Sequence, residues 1–381
     1  MSDLTLPSRV RGCLLGGAIG DALGAPVEFM SGAAIEAAYG TGGVRTFQSM
    51  KPGGAVTVGL VTDDTQMTLF TIEGLIRAIT QMHVQGLDFT NAVVHHAYLR
   101  WADTQTYSDT QSTDGWLVQQ SWLHARRAPG ATCLAALQGR TARDRGFGQA
   151  AVNDSKGCGG VMRSAPYGWL SGTGNHEWIY DLACEGAGFT HGHPTGKVAS
   201  GAFALLIAKL MNGDDLIPAA RETLRFLEGR QDTAETTMSL SKGVELACRG
   251  EISRGALESL GGGWIAEEAL AIGVYAASCY REPAQAMDAL SLAVSHGGDS
   301  DSTGSICGNI LGALWGEAWL PEMLASQLEG RDTMMELADD FIYAITGGFT
   351  PNVELLSSEV SSSAPDSLFQ TEAWLERYPA W

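Results

Sequence analysis

Residues Arg11–Gly24, "RGCLLGGAIGDALG", carry glycine at 12, 16, 20 and 24, one every fourth position, with Leu14, Leu15, Ile19 and Leu23 between them. The apolar spacing is that of a helix. Glycine costs a helix about 1 kcal/mol per residue against alanine. A stripe of glycines along one face is tolerable where another helix must approach closely. Gly304, Gly308 and Gly312 repeat the spacing far downstream. Both segments are therefore expected at the centre of the fold.

Helical periodicity extends through the rest of the chain. Leu69, Ile72, Leu75, Ile76 and Ile79 recur at three- and four-residue steps within 66–79. Segments 219–228, 239–249, 265–278 and 303–315 read the same way, and 198–208 reads as a buried helix. That apolar run falls well short of the roughly 20 residues of a membrane span. "AVTVGLV" (55–61) is the one short strand candidate. The sequence predicts an all-α fold. Residues 1–350 are expected to form a single domain, and 351–381, with the serine-rich stretch 357–367, a tail with a terminal helix docking back.

The chain has 381 residues with 43 acidic against 24 basic side chains, a net charge of -19. That balance argues against nucleic-acid binding, which leaves a basic footprint. Hydrophobic content of 45% supports a real core. Seven dispersed cysteines without a C-x-x-C pair suit a reducing compartment and offer no zinc set. With no signal pattern at the N-terminus, the expectation is a cytoplasmic protein without a membrane anchor.

Two acidic clusters stand ahead of helical sequence: "VTDDTQ" with Thr62, Asp63 and Asp64, and "HGGDSDSTG" with Asp299, Asp301 and Ser302. Carboxylates, hydroxyls and water are the ligands hard divalent cations prefer. Helix capping explains one acid or hydroxyl at each start, but not two acids and a hydroxyl twice. "KGCGGV" (Lys156, Gly157, Cys158, Gly159, Gly160, Val161) can expose backbone N–H groups to an anion. It matches neither a P-loop nor a dinucleotide fingerprint. "THGHPTG" sets His191 and His193 two apart; no neighbouring His or Cys completes a zinc site, and a structural or capping role for His191 is the plainer reading.

In order along the chain, "RVRGCLLGGAIGDALGAPVEF", "TDDTQMTL", "GCGGVMRSAP", "THGHPTG", "GGGWIAEEALA" and "SHGGDSDSTG" resemble the ADP-ribosylglycohydrolase family, over positions 9–304. That family includes the dinitrogenase reductase-activating glycohydrolase and the ADP-ribosylarginine hydrolases. The resemblance implies an all-α bundle with two Mg²⁺ or Mn²⁺ ions. It implies Thr62, Asp63, Asp64, Asp299, Asp301 and Ser302 as metal ligands, many relatives having threonine at the last position. Asp63, Asp64, Asp301 and Glu28 are the catalytic candidates, Glu28 matching a glutamate that gates the site or touches metal. By the same resemblance Lys156–Val161 would hold the diphosphate and distal ribose, His191 would touch the ligand, and Trp264 would stack on it.

The implied reaction releases ADP-ribose from an ADP-ribosylated protein, with arginine the expected linkage. A role in immunity against an ADP-ribosylating toxin, itself then a partner, is compatible with the resemblance. The alternative is a non-catalytic ADP-ribose-binding or structural relative, which would have lost acidic ligands; none is missing here. One departure stands out. Several relatives carry Asp-Ile-Gly-x-Thr ahead of a helix, whereas Ala128-Pro129-Gly130-Ala131-Thr132 stands here without the aspartate; Asp114 is the candidate replacement.

Overall fold

The computed structural model describes residues 4–49, 58–88, 90–107, 114–138, 148–347 and 371–380. Helices account for nearly all of the regular structure, and no strand forms among the described residues. A single antiparallel bridge joins Gly157 and Ile265. Of the strand candidate, 55–57 lie outside the described residues, and 58–61 form a bend leading into a helix rather than a strand. Val61 there is fully buried, so its apolar character serves the core without a sheet.

The Leu6–Gly24 helix starts at Thr5, whose hydroxyl accepts from the Ser8 N–H, with Pro7 in its first turn. It lies antiparallel against Ser300–Trp315, and its glycines face that helix along its whole length. A Cβ at Gly12 would run into the Gly316 carbonyl, one at Gly20 into the Gly304 carbonyl, and one at Gly24 into that of Ser300. From the other side, Gly304, Gly308 and Gly312 meet the carbonyls of Gly20, Gly16 and Gly12. The two backbones touch directly. Asn309 ties them further, its Nδ2 donating to the Cys13 carbonyl at 2.8 Å.

This pair sits within a shell formed by Asp63–Gln85, Pro194–Met211, Ala266–Ser278 and Arg331–Thr346. One continuous apolar core runs from Val10 to Tyr378. The apolar run read as a buried helix lies inside Pro194–Met211 and is buried throughout. At the C-terminal end, Glu372–Arg377 forms a short helix whose Trp374 is buried and donates from Nε1 to Thr80 Oγ1 at 2.9 Å. Arg377 pairs there with Asp340 at 2.8 Å and Glu336 at 2.6 Å. No single helix among the described residues is long and apolar enough to cross a membrane.

Alanine normally improves a helix at the expense of glycine. At Gly308 the sign reverses, because the added methyl meets backbone that cannot move without parting the two helices. Gly308→Ala is predicted to lower stability by about 3 kcal/mol, the upper end of overpacking costs, in denaturant unfolding. An unchanged or raised midpoint would contradict the packing.

Candidate functional site

The antiparallel pairing brings the C-terminal end of Leu6–Gly24 to the N-terminal end of Ser300–Trp315, and the start of Asp63–Gln85 meets them there. Both acidic clusters do cap their helices. Thr62 Oγ1 accepts from the Asp64 N–H at 3.3 Å, and Asp299 Oδ1 accepts from the Ser302 N–H at 3.3 Å. Asp301 Oδ1 accepts from the same Ser302 N–H at 3.0 Å, so capping leaves Asp63 and Asp64 unaccounted for, and all three acids are buried.

Glu28, Asp63, Asp64, Asp299 and Asp301 line one cavity of about 210 Å³, together with Ser302, His191, Trp264 and Cys158. Glu28, Asp299 and Asp301 each offer an oxygen within 4.8 Å of the others. No lysine or arginine is among the described lining residues. Asp64 Oδ1 is buried without a hydrogen-bond partner. Burying a carboxylate is costly unless it is paired or coordinates a cation. The carboxylate and hydroxyl oxygens among these residues, with one carboxylate oxygen left without a partner, fit a hard divalent cation such as Mg²⁺ or Mn²⁺. His193 turns away to cap Pro194–Met211, its Nδ1 accepting from the Thr195 N–H at 3.1 Å.

Asp21 escaped the sequence reading. Fully buried behind the cluster, it accepts from the Thr62 N–H at 3.0 Å, the Thr65 N–H at 3.1 Å and Thr65 Oγ1 at 2.5 Å. It anchors the start of the Asp63–Gln85 helix to the glycine-striped helix. The one signal for it in the sequence is an acid interrupting an otherwise apolar and glycine stripe.

The Gly-rich loop reaches the site in part. Gly157, Cys158 and Gly159 line the cavity, and Cys158 Sγ donates to Asp299 Oδ2 at 2.9 Å. A Cβ at Gly159 would stand 2.9 Å from both Cys133 Sγ and the His191 ring, which is why glycine is needed there. Lys156 does not face the cavity; its ammonium is held by Glu235 at 2.6 Å and Glu267 at 2.5 Å. Gly160 packs on Ala187 and Ser200, and Val161 belongs to the core. The loop is laced to the Trp264 segment: the Cys158 N–H donates to the Trp264 carbonyl at 3.1 Å, and the Ala266 N–H to that of Lys156 at 2.9 Å. Trp264 is 45% exposed and stacks on Phe29, itself 79% exposed, with centroids 5.8 Å apart. The mouth is aromatic and its floor anionic.

The segment Ala128–Thr132 also lines the cavity, where the Gly130 N–H donates to Asp63 Oδ2 at 3.0 Å. Ala128 holds a left-handed φ of 49°. Asp114 does not supply the missing carboxylate: it lies beside Arg77 at 2.9 Å, close to Arg100, in a separate ionic group that includes Glu73. A larger cleft, about 520 Å³, lies elsewhere, but Arg45 and Arg254 on its walls are already paired with Asp288 and Glu36.

A family model for ADP-ribosylglycohydrolases matches residues 2–349, and the chain belongs to that family. A protein of Archaeoglobus fulgidus, described only as uncharacterized, is 28% identical over 340 residues, 87% of this chain and 95% of its own. Among solved structures, an "ADP-ribosylglycohydrolase-related protein complex" shares the fold, with a TM-score of 0.64 at 24% identity over 89% of this chain and 99% of that one. The fold and site thus belong to a hydrolase of the ADP-ribosylglycohydrolase type, with an acidic cluster suited to metal.

The crowding of carboxylates has a thermodynamic signature. Burial, then the charge of Asp301, pushes Asp21 up to about 7; burial followed by Asp301, Asp63 and Asp21 pushes Glu28 up to about 9. Asp63, Asp64, Asp299 and Asp301 are raised as well, each chiefly by burial. A folded-state value above the unfolded one, about 4 for a carboxyl, gives stability that is complete below that value and is lost as pH rises through the folded value. In chelator, the melting temperature is therefore predicted to fall between pH 5 and 9. Mg²⁺ should oppose the fall, contributing about 2.7 kcal/mol at 100 times its Kd. Differential scanning fluorimetry checks both; a flat profile indifferent to Mg²⁺ would contradict the site.

Proposed function

We propose that this chain is a metal-dependent ADP-ribosylarginine hydrolase, with Thr62, Asp63, Asp64, Asp299, Asp301 and Ser302 as ligands to two Mg²⁺ or Mn²⁺ ions. The observation that carries the reading is the convergence of five carboxylates on one cavity beside Gly157–Gly159 and Trp264. When bound, such ions supply Lewis-acid polarisation and lower the pKa of a ligated water. The residues do the rest. At about 210 Å³ the cavity is smaller than the 300–1,000 Å³ of most ligand pockets. It would take the ribose next to the bond being cleaved and leave the remainder of ADP-ribose along the rim, where Trp264 and Phe29 offer aromatic faces.

Hydrolysis breaks the bond between the ribose anomeric carbon and the arginine nitrogen. A water oxygen takes that position on carbon, and the departing guanidine gains a proton. Glu28, or a carboxylate oxygen of Asp64 that the metal leaves unbound, would accept the proton of the attacking water. Gly157 and Gly159, lacking side chains, let an anionic diphosphate approach the backbone. The immunity role belongs to the same proposal as its setting: removing ADP-ribose from arginine undoes the work of an arginine-specific transferase toxin.

The test incubates the protein with arginine- and serine-linked ADP-ribosylated substrates, with Mg²⁺ or with chelator, and measures released ADP-ribose. Release from the arginine linkage, dependent on metal, is the predicted result. Asp63→Asn and Asp301→Asn should each lower it by at least roughly 100-fold, more than losing a group that merely supports a ligand. The double variant should be little worse, since groups acting as one unit are not additive. Asparagine caps helices as well as aspartate does, so near-normal turnover by either variant would return the clusters to a capping role.

A further inference from the structure

Behind the cavity wall, Arg163 is fully buried and meets no carboxylate among the described residues. Its Nη1 donates to the Gly159 carbonyl at 2.5 Å; its Nη2 donates to Thr190 Oγ1 at 2.7 Å and to the Gly186 carbonyl at 3.3 Å. The guanidinium lies 4.3 Å from the centre of the Tyr98 ring. A buried cation without an anion is costly, which calls for a function.

A guanidinium only donates, so Thr190 Oγ1 must accept from it. The one hydroxyl hydrogen of Thr190 then has His191 Nδ1 at 2.8 Å and the Ala187 carbonyl at 3.4 Å within reach, with the weakly accepting Cys133 sulfur as a further neighbour. A cation on the oxygen polarises the hydroxyl and strengthens its donation, and the shorter contact takes it. That choice makes Nδ1 an acceptor; the alternative, Nδ1–H donating to the second lone pair of Oγ1, would turn the hydroxyl to the longer Ala187 contact at 3.4 Å. In a neutral imidazole the proton then resides on Nε2. That nitrogen stands beside Gly157 and Gly159, on a ring that lines the cavity. Burial, then the charge of Arg163, holds the imidazole down to about 3, so the ring stays neutral.

We propose that Arg163, acting through Thr190, is a positioning residue that locks His191 as the neutral Nε2–H tautomer. His191 thereby becomes a fixed, uncharged donor to a ligand oxygen. The same guanidinium holds the Gly159 carbonyl, so one buried charge orients two walls of the cavity, the loop and the histidine. The assignment removes His191 from proton transfer at neutral pH: its one free edge offers a hydrogen bond and accepts none. Only the identity of the ligand, ADP-ribose, rests on the function proposed above.

The experiment is long-range ¹H–¹⁵N NMR on the full chain carrying ¹⁵N-histidine, without ligand, from pH 6 to 8, with ADP-ribose binding measured by calorimetry. The expected His191 signature is a protonated Nε2 and an unprotonated Nδ1, unchanged across the range. Thr190→Val should scramble that signature and weaken ADP-ribose binding roughly 10-fold, while Thr190→Ser should preserve both. A protonated Nδ1 or an imidazolium in the wild type would overturn the proposal, whether or not the variants fold. So would a Thr190→Val protein with the wild-type signature and affinity. Failure of the wild type to bind ADP-ribose, with the Nε2–H signature intact, would count against the ligand and leave the tautomer standing.

Discussion

The structure depends on one contact: the backbone-to-backbone meeting of Leu6–Gly24 with Ser300–Trp315, which glycine alone permits. Van der Waals attraction between the apposed backbones, with the Asn309 side chain tied to the Cys13 carbonyl, holds the helices at a fixed register. Gly12 faces Gly312 and Gly20 faces Gly304, so the antiparallel order is set residue by residue. The register decides the chemistry. It brings Asp21, near the end of one helix, close to Asp301, near the start of the other, and Asp21 in turn grips the Thr62 and Thr65 amides.

Stability and function pull against each other at that junction. Burial raises the proton affinity of six carboxylates, Asp21 among them, the charge of Asp301 raises the other five further, and the described cavity lining holds no lysine or arginine to balance the five that line it. The core elsewhere, continuous from Val10 to Tyr378, must carry the cost of holding them together. A cation would relieve the repulsion, so folding and loading of the site are linked. Around this centre the walls are built from rigid backbone: the Gly157–Gly159 loop laced to Trp264, the Gly130 amide on Asp63, and His191 held from behind by Thr190 and Arg163.

Much of this was legible in the sequence because it rests on local pattern. The four-residue glycine spacing, the helical periods and the two acidic helix starts require no knowledge of the fold, and the all-α architecture follows from them. What stayed hidden depends on distance along the chain. Asp21 serves residues 41 and 44 positions away. The Lys156 ammonium could not be seen to be taken by Glu235 and Glu267, nor Asp114 by Arg77. Val61 stands in the β-branched, apolar neighbourhood of a strand, but burial beside a helix start satisfies that pattern equally well. Arg163 sat inside a quoted motif without any sign that it would be buried away from every carboxylate among the described residues. In each case the missing fact was a tertiary partner.

The account stands on the two acidic clusters forming one ion-binding centre across the glycine seam. Anomalous diffraction from crystals of the full chain grown with Mn²⁺ tests this directly. The predicted result is manganese bounded on one side by Asp63 and Asp64 and on the other by Asp299 and Asp301. Manganese held by a single cluster, or none in the cavity at concentrations that support turnover, would contradict it.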